Sequence, residues 1–467
     1  MTAGGGPKTR GSPAQAEGDI NTSPRRREWA HRNIDADSQA LLDEDARYFL
    51  CQSISTPCLD VVARAEGIWI ENAQGRRFMD FHGNNVHHIG YGHPRLKDAV
   101  KRQIDALPFA PRRYTCEPAV ALARKLAAIA PGSLEKVLLA TGGSDAIEIA
   151  LKVARAATGR FKTLSFWDSF HGAGFGAASV GGEQMFRSGP AGPLLPGSEH
   201  VPPFGCYRNP FGYSHSSREP HTAECGAICA ELVRYTLEKE GDIAAVVAEP
   251  SRAVPYFPPP GFWAEIRRAC DDHGALLIFD EIPTGLGKTG RMFACEHDGV
   301  VPDILVLGKA LGGGMLPIAA TICRPDLDVG GNWAFGHYTH EKNPVTARAA
   351  LTTIQIIEDE GLVENAAGMG DRAIARMTAM MDRIPAIGDV RGRGLLMGIE
   401  LVEDRDSRAP ADGLAEDVLY RALDAGLSFK TTMGNILTLT PPLTVTADDI
   451  DRACDIIEDC LIAAGRP

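Results

Sequence analysis

ALLIFDEIPTGLGKTGRMFACEHDGVVPDILVLGKALGGG, residues 275–314, decides the fold. It holds two short apolar runs, ALLIF at 275–279 and ILVLG at 304–308. Neither alternates with polar residues, so each reads as a strand covered on both faces, the habit of a parallel sheet packed between helices. The first run closes on Asp280, and the second is followed by Lys309 and then Gly312–Gly314. In open α/β sheets ligands collect at the carboxyl ends of strands, which is where these two charged residues stand. Taken singly, a strand-end Asp more often caps a loop, and a strand-end Lys more often extends into solvent.

Two nucleotide motifs overlap this stretch. Gly285, Gly287 and Gly290 match GxGxxG, and Gly287–Lys288–Thr289 contains a GKT. A dinucleotide fingerprint must open a long helix directly after its strand. Here Pro283 intervenes, and position 282 is Ile where a phosphate loop needs Gly. The segment therefore reads as a glycine-rich loop.

Working outward, the runs KVLLAT (136–141), KTLSF (162–166) and IAAVVAE (243–249) alternate with helical stretches such as 96–107 and 118–130. That pattern predicts an α/β domain with a mostly parallel sheet between helices over residues 96–345. Residues 34–95 open with a helix near SQALLDEDARYFL, and GIWIENAQGRRFMDF (67–81) reads as a hairpin. Residues 346–467 turn helical and carry the strands GLLMGIEL and ILTLTPP. Segments 34–95 and 346–467 together are expected to form a smaller α+β domain from both chain ends. Residues 1–33, rich in small and charged residues, read as a flexible tail.

The bulk figures narrow the function classes. A chain of 467 residues exceeds one ordinary core. The net charge of −12 argues against general nucleic-acid binding, which wants a basic face. No apolar run approaches the roughly 20 residues of a membrane span, and the N-terminus lacks an apolar leader segment. With eleven scattered cysteines and no ligand spacing for zinc, the expectation is a cytoplasmic protein with reduced thiols and no metal.

Asp280 and Lys309 gain meaning as a pair. Pyridoxal 5′-phosphate (PLP) needs a lysine for its Schiff base and a carboxylate to keep its pyridine nitrogen protonated. A lysine directly behind a buried strand is expected to be poorly solvated, which lowers its pKa and leaves a nucleophilic amine. A third motif, TGGSDAIEIALKVARAAT (141–158), leads a strand into a helix start at Gly143 and Ser144, suited to a phosphate. The alternative there is an ordinary Ser/Asp cap. The fourth is Phe170–His171–Gly172, whose Phe can stack on a flat ring or simply fill core.

As a set, these residues resemble the class III aminotransferases, which are fold-type I PLP enzymes. The likeness runs from about residue 40 to the C-terminus. It includes GGSDAIEIALKVARAATG, FHGAGFG, AEP, the 275–314 stretch, NPVTARAAL and DVRGRGLLMGIEL. The resemblance implies that Lys309 carries PLP, that Asp280 faces the pyridine nitrogen, and that Phe170 and Ile282 cover the two ring faces. It implies that Gly143 and Ser144 hold the phosphate, with His171 also at the cofactor. Thr339 is implied to reach the phosphate of the neighbouring subunit, making a homodimer, or a tetramer of two such dimers.

Departures from the family pattern bear on substrate. Pro283 replaces a common Gln, Thr339–Lys342 reads THEK, and Thr438 stands at the position of a carboxylate-binding Arg. PRRYT (111–115), GHYTHEKNP (336–344) and GLSFK with GNILTL (426–439) are similar to a subgroup that acts as (R)-1-hydroxy-2-aminoethylphosphonate ammonia-lyase. That resemblance implies a small amine substrate bearing a phosphonate, with Arg112, Arg113, Lys342 and Lys430 as candidate cations. Each, taken alone, is more often a solvated surface charge. The alternative activity is a transaminase of a small amine that uses a keto-acid acceptor; a non-catalytic PLP-binding protein ranks last.

Overall fold

Apolar runs without alternation must bury both faces, and the sheet they build does so. A computed structural model describes residues 22–52, 57–192, 194–209 and 223–465. Its central sheet has seven strands, ordered Lys136–Ala140, Ala319–Cys323, Ile304–Leu307, Leu276–Asp280, Ile243–Ala248, Lys162–Phe166, Ser198–Val201. Ala319–Cys323 is antiparallel to both neighbours, and the pairings from Ile304–Leu307 to Ser198–Val201 are parallel. Alternate residues go to opposite sides. Val247, Ile278, Ile304 and Val306 join the cluster under the helix Gly143–Thr158, whereas Val246, Phe279, Leu305 and Leu307 join the larger core. Each such side chain contributes roughly 1.5–3 kcal/mol when fully buried.

The two chain ends share a sheet. Val62–Glu66, Trp69–Asn72 and Arg77–Asp80 form a meander, and Leu427–Ser428 adds to its edge parallel to Arg77–Asp80. The expected hairpin at 67–81 is part of that meander. A further antiparallel sheet joins Ile387–Arg393, Leu396–Leu401, Ile436–Leu439 and Lys430–Thr432. The α/β class, the mostly parallel sheet and the contribution of both ends match the expectation; the strands at 62–66, 198–201 and 319–323 go beyond it.

One expectation is corrected. The flexible tail to residue 33 stops short, because Pro24–Asn33 is a helix. Ser23 caps it by accepting from the Arg26 amide, and Pro24 supplies the first helical position. Trp29, 1% exposed, packs with Phe78, Tyr420 and Leu423, so burial of one large ring anchors the segment. Residues 1–21 lie outside the described part.

The glycine-rich segment 285–290 is a loop and not a nucleotide fingerprint. Gly287 and Gly290 take φ of +95° and +78°, and only the short 3-10 turn Ala294–His297 follows. Its Lys288 is wholly buried and donates to the Pro441 carbonyl at 2.7 Å, bracing the segment that continues from Thr440. Burial pulls the Lys288 pKa down to about 7. The unfolded chain keeps that proton to near the ordinary lysine value, so between pH 7 and 10 the unfolded state binds more protons and folding strengthens as pH rises. The Tm of the native protein minus that of a Lys288→Met variant should therefore grow from pH 7 to pH 9.5, by up to about 1.4 kcal/mol of stability per pH unit. Parallel Tm curves would rule out Lys288 as the source.

Candidate active site

Asp280 ends the strand Leu276–Asp280, and Lys309 follows the parallel neighbour Ile304–Leu307, with Asp280 in register with Val306. Adjacent parallel strands place the two side chains in the wall of one cavity of about 330 Å³. Gly143, Ser144, Phe170, His171 and Ile282 line the same space. Four segments distant in sequence thus converge at one sheet edge.

Asp280 is buried. Its Oδ2 meets His171 Nδ1 at 2.8 Å, and its Oδ1 accepts from the Ile282 amide at 3.1 Å. Two carboxylate oxygens offer about four acceptor directions, so room for a further donor remains. His171 Nε2 is buried with no hydrogen-bond partner.

Lys309 opens the 3-10 turn Lys309–Gly312 with φ of +44°, a left-handed backbone that non-glycine residues avoid. That turn lifts it off the strand, and Lys309 is exposed to the cavity. The expected poor solvation from the strand itself is therefore not what this chain shows. Strain of this kind gathers at functional sites. Of the seven described non-glycine residues with positive φ, Asn84, Asn85, Asp168 and Lys309 all line this cavity. A larger cleft of about 820 Å³ near Arg291 and Arg393 has none of them and mixes those cations with Glu296, Glu358 and Glu364.

The helix Gly143–Thr158 begins without any side-chain cap, Gly142 being its N-cap. The Ser144 hydroxyl accepts from the Ala173 amide at 3.0 Å, and Asp145 accepts from Thr141, so the alternative of a Ser/Asp cap does not apply. Uncapped first-turn N–H groups beside a cavity are an anion site. The walls leave a thin slot. A Cβ on Gly143 would stand 2.8 Å from Ile282 Cδ1, and one on Gly172 (φ +134°) 2.5 Å from Ser144 Oγ. Phe170, 40% exposed, presents its ring to the opening beside Phe186. A slot with an anion-binding end, a buried carboxylate, and a reachable amine fits PLP.

The remaining sequence-derived candidates divide. Lys430 lines the cavity. Arg112, Arg113, Thr339 and Lys342 are exposed and lie outside it. The two segments that carry them touch: Arg112 Nη2 meets His337 Nε2 at 2.7 Å, and the Phe109 and His340 rings are 5.4 Å apart. Sequence reading missed His82, Asn84, Asn85, Glu183, Glu249 and Arg252, all in the lining. The one available signal was position: Glu249 and Arg252 follow the end of the apolar run 243–248.

Comparison with known proteins agrees with this geometry. Residues 52–461 match the family model for aminotransferase class III. The chain is 44% identical over 457 residues to an (R)-1-hydroxy-2-aminoethylphosphonate ammonia-lyase of Vibrio splendidus, spanning 96% of this chain and 95% of that protein. It is 35% identical to a leucine/methionine racemase of Thermococcus litoralis, over 90% and 94% of the two chains. Among solved structures, an omega transaminase from Pseudomonas jessenii in complex with PMP superposes with a TM-score of 0.85 at 28% identity, covering 91% of this chain and 98% of that one.

Proposed function

The chain belongs to the class III aminotransferase family and uses PLP, and from that premise we propose that it is an ammonia-lyase for (R)-1-hydroxy-2-aminoethylphosphonate. The observation that carries the reading is the near-full-length identity to the Vibrio splendidus lyase, joined to a cavity that holds Lys309, Asp280 and Lys430 together.

Bound PLP supplies an electron sink for the pair left when the carbon bearing the amine loses a proton. Lys309 Nζ, exposed in the cavity, is the group that takes that proton. Asp280, fixed by His171 and the Ile282 amide, holds a proton on the ring nitrogen. The uncapped helix start at Gly143–Ser144 holds the phosphate. Phe170 and Ile282 would cover the cofactor's ring, and Lys430, in the same lining, would serve the anionic end of the substrate. Loss of the proton from the amine-bearing carbon and of hydroxide from its neighbour, followed by addition of water, gives phosphonoacetaldehyde and ammonia. Atoms balance without net water, oxidant or amino acceptor.

The active unit in this reading is a homodimer. Thr339 is exposed and outside its own cavity, as a residue serving the site across an interface must be. None of the described helices is long and apolar enough to cross a membrane, and a cytoplasmic location is part of the proposal.

Ammonia release in the absence of any keto acid tests the reaction. The purified enzyme should liberate ammonia from (R)-1-hydroxy-2-aminoethylphosphonate over many turnovers, at a rate unchanged by added pyruvate. Strict dependence on a keto acid would replace the lyase by a transaminase, which the likeness to omega transaminases makes the second reading.

A further inference from the structure

Arg252 lies in the loop after the buried strand Ile243–Ala248 and is 3% exposed. A guanidinium so placed ordinarily has a carboxylate, because an unpaired buried charge is costly. Among the described residues, none lies within ion-pair distance of Arg252. Its Nη2 donates to the Asp168 carbonyl, and its Cζ stands 5.5 Å from the centre of the Tyr256 ring. Its Nε is buried with no acceptor.

Two buried acids, Glu183 and Glu249, share the cavity lining with Arg252, and neither forms an ion pair with it. Glu249 is buried and spends Oε2 on the Ala253 amide, and burial pushes its carboxyl pKa up, with Arg252 the leading opposing influence. Asp168 presents its carbonyl to the guanidinium from a left-handed backbone (φ +60°), and the loop backbone is fixed where the Arg252 amide donates to the Tyr256 carbonyl at 2.9 Å. The guanidinium is anchored through Nη2, and its buried Nε has no hydrogen-bond acceptor.

Its position separates it from the phosphate end of the slot. Arg252 and Asp168 line both the 330 Å³ cavity and an adjoining one of about 180 Å³. Gly143 and Ser144 line only the first. Two anions must be housed, the phosphate of the cofactor and the anionic end of the substrate. The helix start receives the first.

We propose that Arg252 is the specificity-determining residue that clamps the anionic group of the substrate, opposite its amine. This rests on the reading of the cavity as a site for a small amine carrying an acidic group, and it adds a cation that the exposed Arg112, Arg113 and Lys342 of the same chain do not supply. A planar guanidinium matches the oxygens of a phosphonate better than an ammonium does.

The test uses three amines of equal length: 2-aminoethylphosphonate, taurine and ethanolamine. Each is titrated into the PLP-loaded enzyme, and Kd is read from the absorbance of the bound cofactor. Arg252→Gln should raise Kd for the phosphonate by about 10- to 100-fold, the loss of a charge-assisted contact, and leave ethanolamine within twofold. Arg252→Lys should fall between. Equal weakening of all three amines, or no weakening of the phosphonate, overturns the proposal. Wild-type enzyme that prefers taurine over the phosphonate, with the preference lost in R252Q, discards the phosphonate as substrate and keeps Arg252 as the anion clamp. Wild-type enzyme that binds all three alike overturns the role of Arg252 whatever the reaction.

Discussion

Lys309→Ala is expected to reduce turnover by about 10³-fold or more, the upper range for losing a positioned proton-transfer group, with the attachment of PLP lost as well. The geometry gives the reason. Lys309 opens a strained turn that points it into the cavity, and Asp280 stands on the adjacent parallel strand. Borohydride treatment followed by intact-mass measurement checks the attachment separately from the rate. Native protein should gain the mass of one reduced cofactor at Lys309, and the variant none. A variant that keeps a tenth of native turnover, or native protein labelled on another lysine, would remove Lys309 from the centre of the scheme. The same variant probes the dimer. Mixing Lys309→Ala chains with Thr339→Ala chains should regain activity above either homodimer, because one site of the mixed pair has both residues intact. Failure to regain any would argue against a shared site.

Asp280→Asn carries the second large effect. Asparagine keeps the size of the side chain and can still accept from the Ile282 amide. It cannot stabilise a proton on the ring nitrogen as a carboxylate does, so kcat should fall by roughly 10²- to 10⁴-fold. Folding should suffer little, with a Tm shift of a few degrees, because the hydrogen bonds to His171 and Ile282 keep near-equivalent partners. A loss of kcat under tenfold would show that the carboxylate charge is not needed. Collapse of Tm would move Asp280 to a structural role through its pairing with His171.

Much of the architecture was legible because it obeys simple periodicities. Continuous apolar runs at 243–248, 276–279 and 304–307 could only be strands buried on both sides. Their ends then had to share an edge, and the convergence of Asp280 and Lys309 on one cavity followed. The helix Pro24–Asn33 was hidden by its charge, although Ser23–Pro24 is an ordinary helix-start signal; what fixes it is Trp29 against Tyr420 and Leu423, a contact no local pattern encodes. The openness of Lys309 depends on one left-handed φ. Arg252 was hidden for a similar reason, since an arginine in a short loop looks solvated until Asp168, Tyr256 and the strand end close around it. Arg112 and Lys342 stood out only as charges, and their distance from the cavity of their own chain is a matter of how the chain winds.

The edge strand Leu427–Ser428 against Arg77–Asp80 has a consequence for synthesis on the ribosome. Arg76 donates to the Leu423 carbonyl across 347 residues of sequence, and the Thr440 amide bonds to Phe81. The first sheet to emerge therefore waits for nearly the whole chain before its edge is closed. Its exposed strand edge is then open to pairing with another nascent chain. A ribosome that stalls after Cys323 and before Leu427 releases a product whose central-sheet strands are all made and whose meander is open. Chaperone shelter of the emerging meander is what protects such a chain from aggregation.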